Sequence, residues 1–236
     1  MKPRQLIFPQ LFQRLTWIHL RTFMLIFCSL NITGTSYLKR VKKPVIFASS
    51  HQSEIDPLLI VSCLPFWSNL FPIIYVTREK AFYTNHHWKW WQKVLYGGSF
   101  FRMIGGYQTY VGLKDYKQAL AHHLETLALG HNVGIFPAGK RVKSKNEPIK
   151  VRGGVSFLAQ ESNAVVVPVL IEGLEKLNFL NAIRGEIKAA VTFGQPFYLK
   201  DVIKEPKKMK VTKQRNDYEH AAKKIWKRIE RLKSTV

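Results

Sequence analysis

The sequence predicts an α/β protein whose mixed, largely parallel sheet is flanked by helices, with an N-terminal helix at a membrane interface. Two observations support the sheet. Short apolar runs typical of buried strands recur along the chain, and stretches with helical spacing of apolar residues separate them. The length of 236 residues, with 46% hydrophobic content, is enough for one sizeable domain and a small appendage. Strands that alternate with helices favour parallel pairing.

The N-terminal segment is predicted to be a helix that lies in the membrane interface. Residues 15–30 are apolar, but His19 and Arg21 interrupt them, and the run is shorter than the ~20 apolar residues of a membrane span. No small-x-small cleavage site follows, so a cleaved signal peptide is not expected. The side chains expected near lipid phosphates are Lys2, Arg4, Arg14 and Arg21, and those expected to enter the lipid are Trp17 and Phe23. The alternative is an ordinary helix packed on the domain.

The remaining elements follow from apolar periodicity and from turn residues. Strands are predicted at residues 45–48, 73–76, 133–136, 165–171 and 189–193, with a further short strand and a basic turn within residues 31–43. Helices are predicted from residue 56 to near 64, within 78–97, over 116–129 with a stop at Gly130, from the region 153–160, and over 218–232. Residues 203–216 are charged and are predicted to be a solvated loop.

Three regions are predicted from this pattern. Residues 1–30 form the N-terminal membrane-associating helical segment, residues 31–202 form the α/β domain, and residues 203–236 form a basic loop and an amphipathic helix. That last helix either adds to a membrane-binding face or simply covers the sheet. A Trp-rich basic stretch at residues 88–102 is expected to help seat the domain on lipid.

The charge of the chain implies an anionic partner. Lys and Arg total 37 against 15 Asp and Glu, for a formal net charge of +22, and 6 Trp, 9 Tyr and 15 Phe accompany them. This composition suits single-stranded nucleic acid and a membrane interface equally. Cys28 and Cys63 indicate neither a disulfide framework nor a zinc site. The adjacent pairs His86–His87 and His122–His123 lack a third metal ligand, so surface positions are predicted for them and no metal is expected.

A histidine and an aspartate five positions apart are the first candidate site residues. His51 follows the predicted strand 45–48, and Asp56 with Pro57 begins the predicted helix as N-cap and first residue. On one continuous helix the two side chains would point ~140° apart. A strand–turn–helix instead lets the Asp56 carboxylate fold back onto His51, which fixes the tautomer and raises the basicity of the other ring nitrogen. The alternative is local capping without catalysis.

A basic turn supplies the second group of candidates. The predicted strand 133–136 runs into a Pro/Gly turn, which is followed by the cations Lys140, Arg141, Lys143, Lys145, Lys150 and Arg152. Such a turn exposes backbone N–H groups, and arginine can bind phosphate through two parallel hydrogen bonds. The alternative is a solvated basic loop.

Four sequence blocks, in order, resemble the glycerophospholipid acyltransferase family, the 1-acylglycerol-3-phosphate acyltransferases and their relatives. The blocks are Ser50–Asp56 (the family's His-x-x-x-x-Asp), Phe101–Tyr107, Phe136–Arg141 (against Phe-Pro-Glu-Gly-Thr-Arg), and Val166–Val169 with Gly173. The resemblance covers roughly residues 30–200. Ala138 stands where the family has Glu, and Lys140 stands where it has Thr, so both changes make the site more positive.

The resemblance implies transfer of a fatty acyl group from acyl-CoA or acyl-carrier-protein to a (lyso)phospholipid-type, phosphate-bearing acceptor such as 1-acylglycerol 3-phosphate. It implies a phospholipid-synthesising enzyme on the cytoplasmic face of a membrane, without a cofactor or a nucleic-acid partner. His51 is then the base and Asp56 holds it. Arg141, assisted by Lys140, binds the acceptor phosphate, and backbone N–H groups near Gly139 or at the start of the Asp56 helix stabilise the oxyanion.

One departure concerns the second block, which in the family usually ends in a phosphate-binding arginine. Residues 107–112 contain no arginine, so Arg102 and Lys114 are the candidates to replace it. The competing hypothesis is a non-catalytic protein that binds anionic lipid or nucleic acid on the same fold. Ala138 favours that hypothesis, and the intact His51–Asp56 pair opposes it.

Overall fold

A computed structural model of the protein describes residues 4–78, 99–110, 115–141, 149–203 and 211–235. Side chains are described for residues 6–78, 101–110, 115–141, 149–203 and 215–233. Several predicted features lie outside these ranges: the side chains of Lys2, Arg4, Lys114, Lys143 and Lys145, the pair His86–His87, the predicted helix within 78–97 and most of the Trp-rich stretch.

The centre of the protein is one seven-stranded sheet with the order β1-β7-β6-β2-β5-β3-β4. The strands are β1 (Cys28–Thr33), β2 (Val45–Ser49), β3 (Ile73–Thr77), β4 (Gly106–Gln108), β5 (Asn132–Ile135), β6 (Val165–Glu172) and β7 (Ile187–Phe193). Neighbouring strands pair in parallel, except that β6 and β7 are antiparallel. The predicted mixed, largely parallel α/β sheet is therefore confirmed.

Helices cover both faces of this sheet. They are α1 (Arg4–Phe27), α2 (Thr35–Leu38), α3 (Asp56–Cys63), α4 (Ser99–Met103), α5 (Tyr116–Ala119), α6 (Ala121–Ala128), α7 (Gly154–Ser162), α8 (Phe179–Ile183) and α9 (Val211–Arg231). Two 3₁₀ turns, Leu199–Asp201 and Leu232–Thr235, complete the described elements.

The core explains why the central strands are continuous apolar runs. All five residues of β2 are buried. Val45 and Phe47 pack into one core with α1 and α3, whereas Ile46 and Ala48 pack into the other with α7 and α9, because successive side chains of a strand point to opposite faces. We refer to these two sides of the sheet as the α1 face and the α9 face.

Helix α1 is held on the domain by polar side chains that the sequence analysis assigned to lipid. Arg14 donates to the carbonyl of Phe66, Arg21 donates to that of Ser62 at 2.8 Å, and the indole of Trp17 donates to that of Leu64 at 2.7 Å. Carbonyls at the end of a helix lack partners within the helix, and cations stabilise them. The expected lipid contacts of Arg14, Arg21 and Trp17 are therefore wrong, because these side chains bind the end of α3 and the loop that follows it.

The outward face of α1 carries a different set of residues. Its exposed apolar side chains are Ile7, Phe8, Leu11, Leu15, Ile18, Leu25 and Ile26. Phe23, another expected lipid contact, is partly buried and packs against Phe27 at a ring-centroid distance of 5.1 Å. Among the described helices, none combines the length and the apolar character that crossing a bilayer requires. The position of α1 in a membrane interface stays a prediction.

The predicted helix over residues 116–129 is interrupted. The carbonyl of Ala119 accepts a hydrogen bond from the Thr109 hydroxyl at 2.8 Å, and Leu120 leaves the helical conformation with φ −116° and ψ 15°. This contact comes from a distant segment, so the local apolar period did not reveal it. The predicted stop is present, since Gly130 has φ 77°, where a residue without Cβ is favoured.

Three further differences concern element boundaries. The first strand begins at Cys28 directly after α1, and the three-residue strand β4 was not predicted because it is too short to show a period. Helix α9 begins at Val211, inside the stretch predicted as a loop. Its buried residues are Ala221, Ala222, Ile225, Trp226 and Ile229. The sequence left open whether this helix adds to a membrane-binding face or covers the sheet. The structure shows that it covers the sheet.

One member of the predicted surface histidine pairs is instead buried. The side chain of His123, on α6, is inaccessible to solvent. Burial, together with the smaller effect of the neighbouring His122 charge, lowers the pKa of His123 to about 4. An imidazole at the sheet edge is thus kept neutral by its surroundings.

This burial predicts a loss of stability in mild acid. Because the folded pKa lies below the unfolded value of about 6.5, the unfolded chain binds the proton more tightly. Neutral His123 therefore makes its full contribution to the free energy of unfolding above about pH 6.5. As the pH falls towards 4, that free energy decreases by about 3 kcal/mol. Urea unfolding of His123→Leu between pH 4 and 7 is expected to show a shallower pH dependence. The control His220→Leu, at an exposed position of α9, should retain the wild-type slope; equal slopes in all three proteins would contradict the assignment.

Candidate active site

The carboxyl ends of four neighbouring strands meet at one edge of the sheet. Strands β6, β2, β5 and β3 are adjacent and run in the same direction. The segments that leave this edge contain His51 after β2, Arg78 after β3, residues 136–141 after β5 and residues 173–175 after β6. Open α/β sheets bind ligands outside the carboxyl ends of their strands, so this edge is the candidate site.

The predicted contact between histidine and aspartate is present. Nδ1 of His51 lies 2.8 Å from Oδ2 of Asp56, the aspartate is fully buried, and the imidazole is partly exposed. A carboxylate only accepts hydrogen bonds, so Nδ1 must donate, and the lone pair of the neutral ring is then on Nε2. The turn between β2 and α3 therefore produces an oriented base. Its catalytic role stays a prediction.

The Asp56 carboxylate also organises the turn that carries His51. Oδ2 accepts the backbone N–H groups of Gln52 at 2.6 Å and Ser53 at 3.0 Å, and Oδ1 accepts the Ser53 hydroxyl at 2.6 Å. The expectation that Asp56 caps its own helix is wrong, because Ile55 occupies the N-cap position and the carboxylate turns back towards the preceding residues. One buried side chain thus fixes both the loop and the imidazole.

Aromatic rings support the imidazole from the side of β5. The ring of Phe136 stacks on His51 with centroids 4.2 Å apart and an interplanar angle of 25°. Tyr75 lies behind Phe136 at 6.3 Å, and its hydroxyl donates to the carbonyl of Pro57 at 2.6 Å. Phe136 belongs to one of the sequence motifs, but its contact with His51 was not predicted, since only the pairing of β2 with β5 brings the two rings together.

The basic turn after β5 is stabilised by its own backbone and by two arginines. Gly139 has φ 64°, its N–H donates to the carbonyl of Phe136 at 2.9 Å, and its carbonyl accepts from Arg78 at 2.6 Å. The backbone N–H of Arg152 donates to the carbonyl of Pro137 at 2.9 Å. Because its own N–H is already used, Gly139 itself does not supply an oxyanion donor. The neighbouring N–H groups of this turn and those at the start of α3 stay the predicted sources.

The two predicted motifs are joined by an ion pair. Nη1 of Arg141 lies 2.9 Å from Oε1 of Glu54, which belongs to the His51 turn, and both side chains are partly exposed. Exposed ion pairs contribute only about 0–1 kcal/mol to stability, so the consequence of this pair is mainly positional. It holds the Arg141 guanidinium beside the His51 turn. Lys140 is exposed in the same turn.

Arg102 is not brought to this edge. It lies on α4, which leads into the amino end of β4, whereas β3 and β4 are parallel and the candidate site is at the carboxyl ends. Its charge lies near Tyr107 and His122. Within the described side chains, no hydrogen bond or ion pair connects Arg102 with His51 or Arg141. The arginine that does reach the basic turn is Arg78, which the sequence analysis overlooked although it directly follows β3.

An apolar groove of about 500 Å³ opens beside the His51 turn. It lies between α1 and α3 and is lined by Phe12, Leu15, Thr16, His19, Leu20, Phe23, Ile55 and Leu58. Ile55 directly precedes Asp56, so one end of the groove lies next to the histidine–aspartate pair. In the ranges that the structure describes, no group of three His, Cys, Asp or Glu side chains could hold a metal ion.

A family comparison agrees with this site. A model of the family described as Acyltransferase matches residues 29–172, which is more than half of the chain. The chain belongs to the Acyltransferase family. The match to the Acyltransferase family includes the His51–Asp56 turn, the basic turn after β5 and strand β6, and the expected relationship to the glycerophospholipid acyltransferases is thereby confirmed.

Two individual similarities are consistent with membership of the Acyltransferase family. Tafazzin from Drosophila melanogaster is 29% identical over 179 residues, which are 71% of this chain. The chain spans only 44% of the length of that relative. The crystal structure of PlsC, a 1-acyl-sn-glycerophosphate acyltransferase from Thermotoga maritima, has 17% sequence identity and a TM-score of 0.51 over 86% of this chain and 73% of PlsC. At this identity, the likeness to PlsC shows a shared fold.

Proposed function

We propose that this member of the Acyltransferase family transfers a fatty acyl group from acyl-CoA or acyl-carrier-protein to a hydroxyl of a lysophospholipid-type acceptor. The observation that carries the proposal is the 2.8 Å contact between His51 and the buried Asp56 at the carboxyl edge of the sheet. An apolar groove and a basic turn both adjoin the turn that carries this pair. These are the surroundings that an acyl chain and a phosphate require.

In the proposed mechanism, His51 acts as a general base. Its Nε2 accepts the proton of the acceptor hydroxyl while the hydroxyl oxygen attacks the thioester carbonyl. Asp56 stabilises the imidazolium that forms. The tetrahedral intermediate then expels the thiolate, which takes the proton from His51. The products are an ester and a free thiol, and the enzyme returns to its initial protonation state.

The cysteines are unsuited to an alternative mechanism through an acyl-enzyme. Both Cys28 and Cys63 are buried. Burial raises the pKa of the Cys63 thiol to about 12, and it also raises the pKa of Cys28. A nucleophilic cysteine requires a lowered pKa and an accessible thiolate. Direct attack by the acceptor is therefore the step that we propose.

We assign acceptor binding to the basic turn. The Arg141 guanidinium, held beside the His51 turn by Glu54, can bind a phosphate with two hydrogen bonds, and Lys140 adds charge. Arg78 supports the same turn from β3. The acceptor is thus proposed to bear a phosphate, as 1-acylglycerol 3-phosphate does, without a cofactor or a nucleic-acid partner.

The apolar groove is proposed to hold the acyl chain. Each methylene group that leaves water for an apolar site contributes about 0.8 kcal/mol, so a groove beside His51 can bind and align a fatty chain. Because such substrates reside in bilayers, we propose that the protein is membrane-associated on the cytoplasmic face, with residues 1–30 as the attaching segment, 31–202 as the acyltransferase domain and 203–236 as its C-terminal extension. The exposed apolar side chains of α1 support this location.

A turnover assay tests the proposal. Purified protein in detergent is supplied with long-chain acyl-CoA or acyl-carrier-protein and with glycerol 3-phosphate, 1-acylglycerol 3-phosphate or other lysophospholipids. Transfer to a lysophospholipid supports the proposal and names the acceptor that Ala138 and Lys140 accommodate. Folded protein that binds vesicles but transfers to none of these acceptors would contradict it and would favour a non-catalytic lipid-binding protein.

Replacing Arg141 by alanine is expected to raise the KM for the acceptor about tenfold or more, with a much smaller change in the KM for the acyl donor. The reason is that only the acceptor is proposed to use this guanidinium, and a charge-assisted hydrogen bond contributes about 1.5–3 kcal/mol. Initial rates measured against each substrate in turn provide the test.

Arg40→Ala is the matched control for this measurement. Arg40 is also an exposed arginine, but it precedes β2 at the opposite edge of the sheet. Its removal should leave both KM values unchanged. Equal increases in the two KM values of Arg141→Ala would refute the assignment.

A further inference from the structure

The short helix α8 presents apolar side chains to solvent. Phe179, Leu180 and Ile183 are 71%, 63% and 51% exposed, whereas Ala182 is fully buried. A surface helix normally turns its large apolar residues inward, so this arrangement is reversed. The exposed cluster is concentrated in five residues and neither the core nor the proposed catalytic steps use it.

Helix α8 lies close to the candidate site. It follows the loop that leaves the carboxyl end of β6, and Gln52 of the His51 turn binds this loop. The side-chain oxygen of Gln52 accepts the N–H of Leu174 at 3.2 Å, and its amide group donates to Glu175 at 2.7 Å. Since the backbone of Gln52 also donates to Asp56, a short chain of contacts connects α8 with the catalytic pair.

The last turn of α1 reaches the same edge. Cys28 of β1 pairs with Ile187 of β7 in a parallel arrangement, so the segments that precede these two residues enter the sheet from one side. Those segments are the end of α1 and helix α8. Leu25 and Ile26 are 58% and 66% exposed there. Buried residues of both elements, Met24 and Ala182, belong to the core of the α1 face, so the two exposed clusters lie on the same side of the sheet.

Charged side chains of both signs lie near these apolar residues in the sequence. Lys176, Arg184 and Lys188 are exposed next to or shortly after α8. The acids Glu172, Glu175 and Glu186 balance these three cations, so the excess of positive charge at this edge comes from the basic turn with Lys140 and Arg141. The chain as a whole carries +22. Apolar side chains beside a basic turn match the interface of a bilayer that contains anionic lipids.

We propose that α8 and the last turn of α1 form a docking surface for an anionic lipid bilayer at the entrance of the candidate site. This inference rests on the proposed function and adds the surface through which that site meets its lipid. The groove lined by Leu20, Phe23 and Ile55 begins between α1 and the His51 turn. A lipid can then pass from the bilayer to His51 without exposing its chain to water.

Vesicle sedimentation of the full chain tests the surface without relying on turnover. Wild type and Phe179→Ser/Leu180→Ser are mixed with phosphatidylcholine vesicles that contain or lack phosphatidylglycerol. The double variant is expected to bind the anionic vesicles about tenfold or more weakly, because two apolar side chains no longer enter the interface. Leu129→Ser is the matched control, since Leu129 is half-exposed but precedes β5 at the opposite edge.

The outcomes separate this inference from the proposed function. Weakened binding of the double variant alone, with an unchanged thermal unfolding temperature, supports the docking surface whether or not turnover is detected. Equal binding by the double variant and wild type would overturn it, even if acyl transfer is confirmed. Equal binding of wild type to neutral and anionic vesicles would overturn the requirement for anionic lipid.

Discussion

Replacing His51 by alanine is expected to lower acyl transfer by about 10²–10⁴-fold, which is the usual contribution of a general base. The effect should be mainly on kcat. His51 is partly exposed, and its removal leaves the Asp56 contacts with Gln52 and Ser53 in place. The fold and vesicle binding should therefore be close to those of wild type. Single-turnover measurements with saturating donor and acceptor give the rate of the chemical step directly.

The matched control is His220→Ala. His220 is an exposed histidine on α9, on the other face of the sheet, so the same substitution there should leave turnover unchanged. If His51→Ala transfers acyl groups at the wild-type rate, the proposed base is wrong. A chain that binds lipid but shows no transfer with or without His51 would favour the non-catalytic alternative.

Replacing Asp56 by asparagine is expected to reduce both turnover and stability. The carboxylate is fully buried and accepts four donors, from His51, Gln52 and, twice, from Ser53. An amide has the same shape but no charge. With its oxygen in the Oδ2 position it keeps the three N–H donors through weaker, neutral hydrogen bonds, and its NH₂ group brings two donors to the Ser53 hydroxyl, which can accept only one of them. We expect the free energy of unfolding to fall by about 2–4 kcal/mol. Hydrogen bonds to a neutral amide are weaker than those to a carboxylate, and a buried donor without an acceptor destabilises the folded state further.

Urea unfolding, combined with turnover, measures this prediction. Asp201→Asn is the control, since Asp201 accepts the backbone N–H of Tyr198 at 3.0 Å in an exposed turn, where water can replace the carboxylate. The decrease in the free energy of unfolding should be much smaller for Asp201→Asn than for Asp56→Asn. A stability of Asp56→Asn equal to wild type would show that the buried carboxylate does not organise the turn. Normal turnover would show that His51 does not depend on it.

The two substitutions differ in a useful way. His51→Ala should lower turnover and leave stability nearly unchanged, because His51 is held by the turn but does not hold it together. Asp56→Asn should lower both, because Asp56 orients His51 and also binds the loop. Observing this difference would support the division of roles within the pair. Identical stability losses in the two variants would instead indicate that the imidazole itself is a structural part of the turn.

Local sequence rules were sufficient for the elements that carry the pair. An apolar run, a short polar stretch and an Asp-Pro start required a strand, a turn and a helix, and the spacing of His51 and Asp56 excluded a shared helix face. The α/β class follows equally from local periods, since buried strands and amphipathic helices alternate. In both cases neighbouring residues determine the conformation, so the pattern could be interpreted without a structure.

The partners of the site depended on how distant strands pair. Phe136 stacks on His51 because β5 lies next to β2, and Arg141 meets Glu54 for the same reason. Arg102 was a reasonable candidate in the sequence, yet it precedes the amino end of β4, whereas Arg78 follows the carboxyl end of β3. Strand order and direction result from the packing of the whole chain, and no local period records them.

The N-terminal helix is a second case in which local sequence patterns predict an element but not its contacts. Its apolar and basic composition correctly indicated a helix, but not which side chains pack on the protein. Arg21 binds a carbonyl in the last turn of α3 and Arg14 binds one in the loop after it, whereas Leu15 and Ile18 remain exposed. The sequence by itself therefore determined the fold class, the turn that joins His51 to Asp56 and the family motifs, because these depend on short-range geometry. The tertiary structure alone decided which arginines, aromatic rings and apolar faces surround the site, because those contacts join residues far apart in the chain.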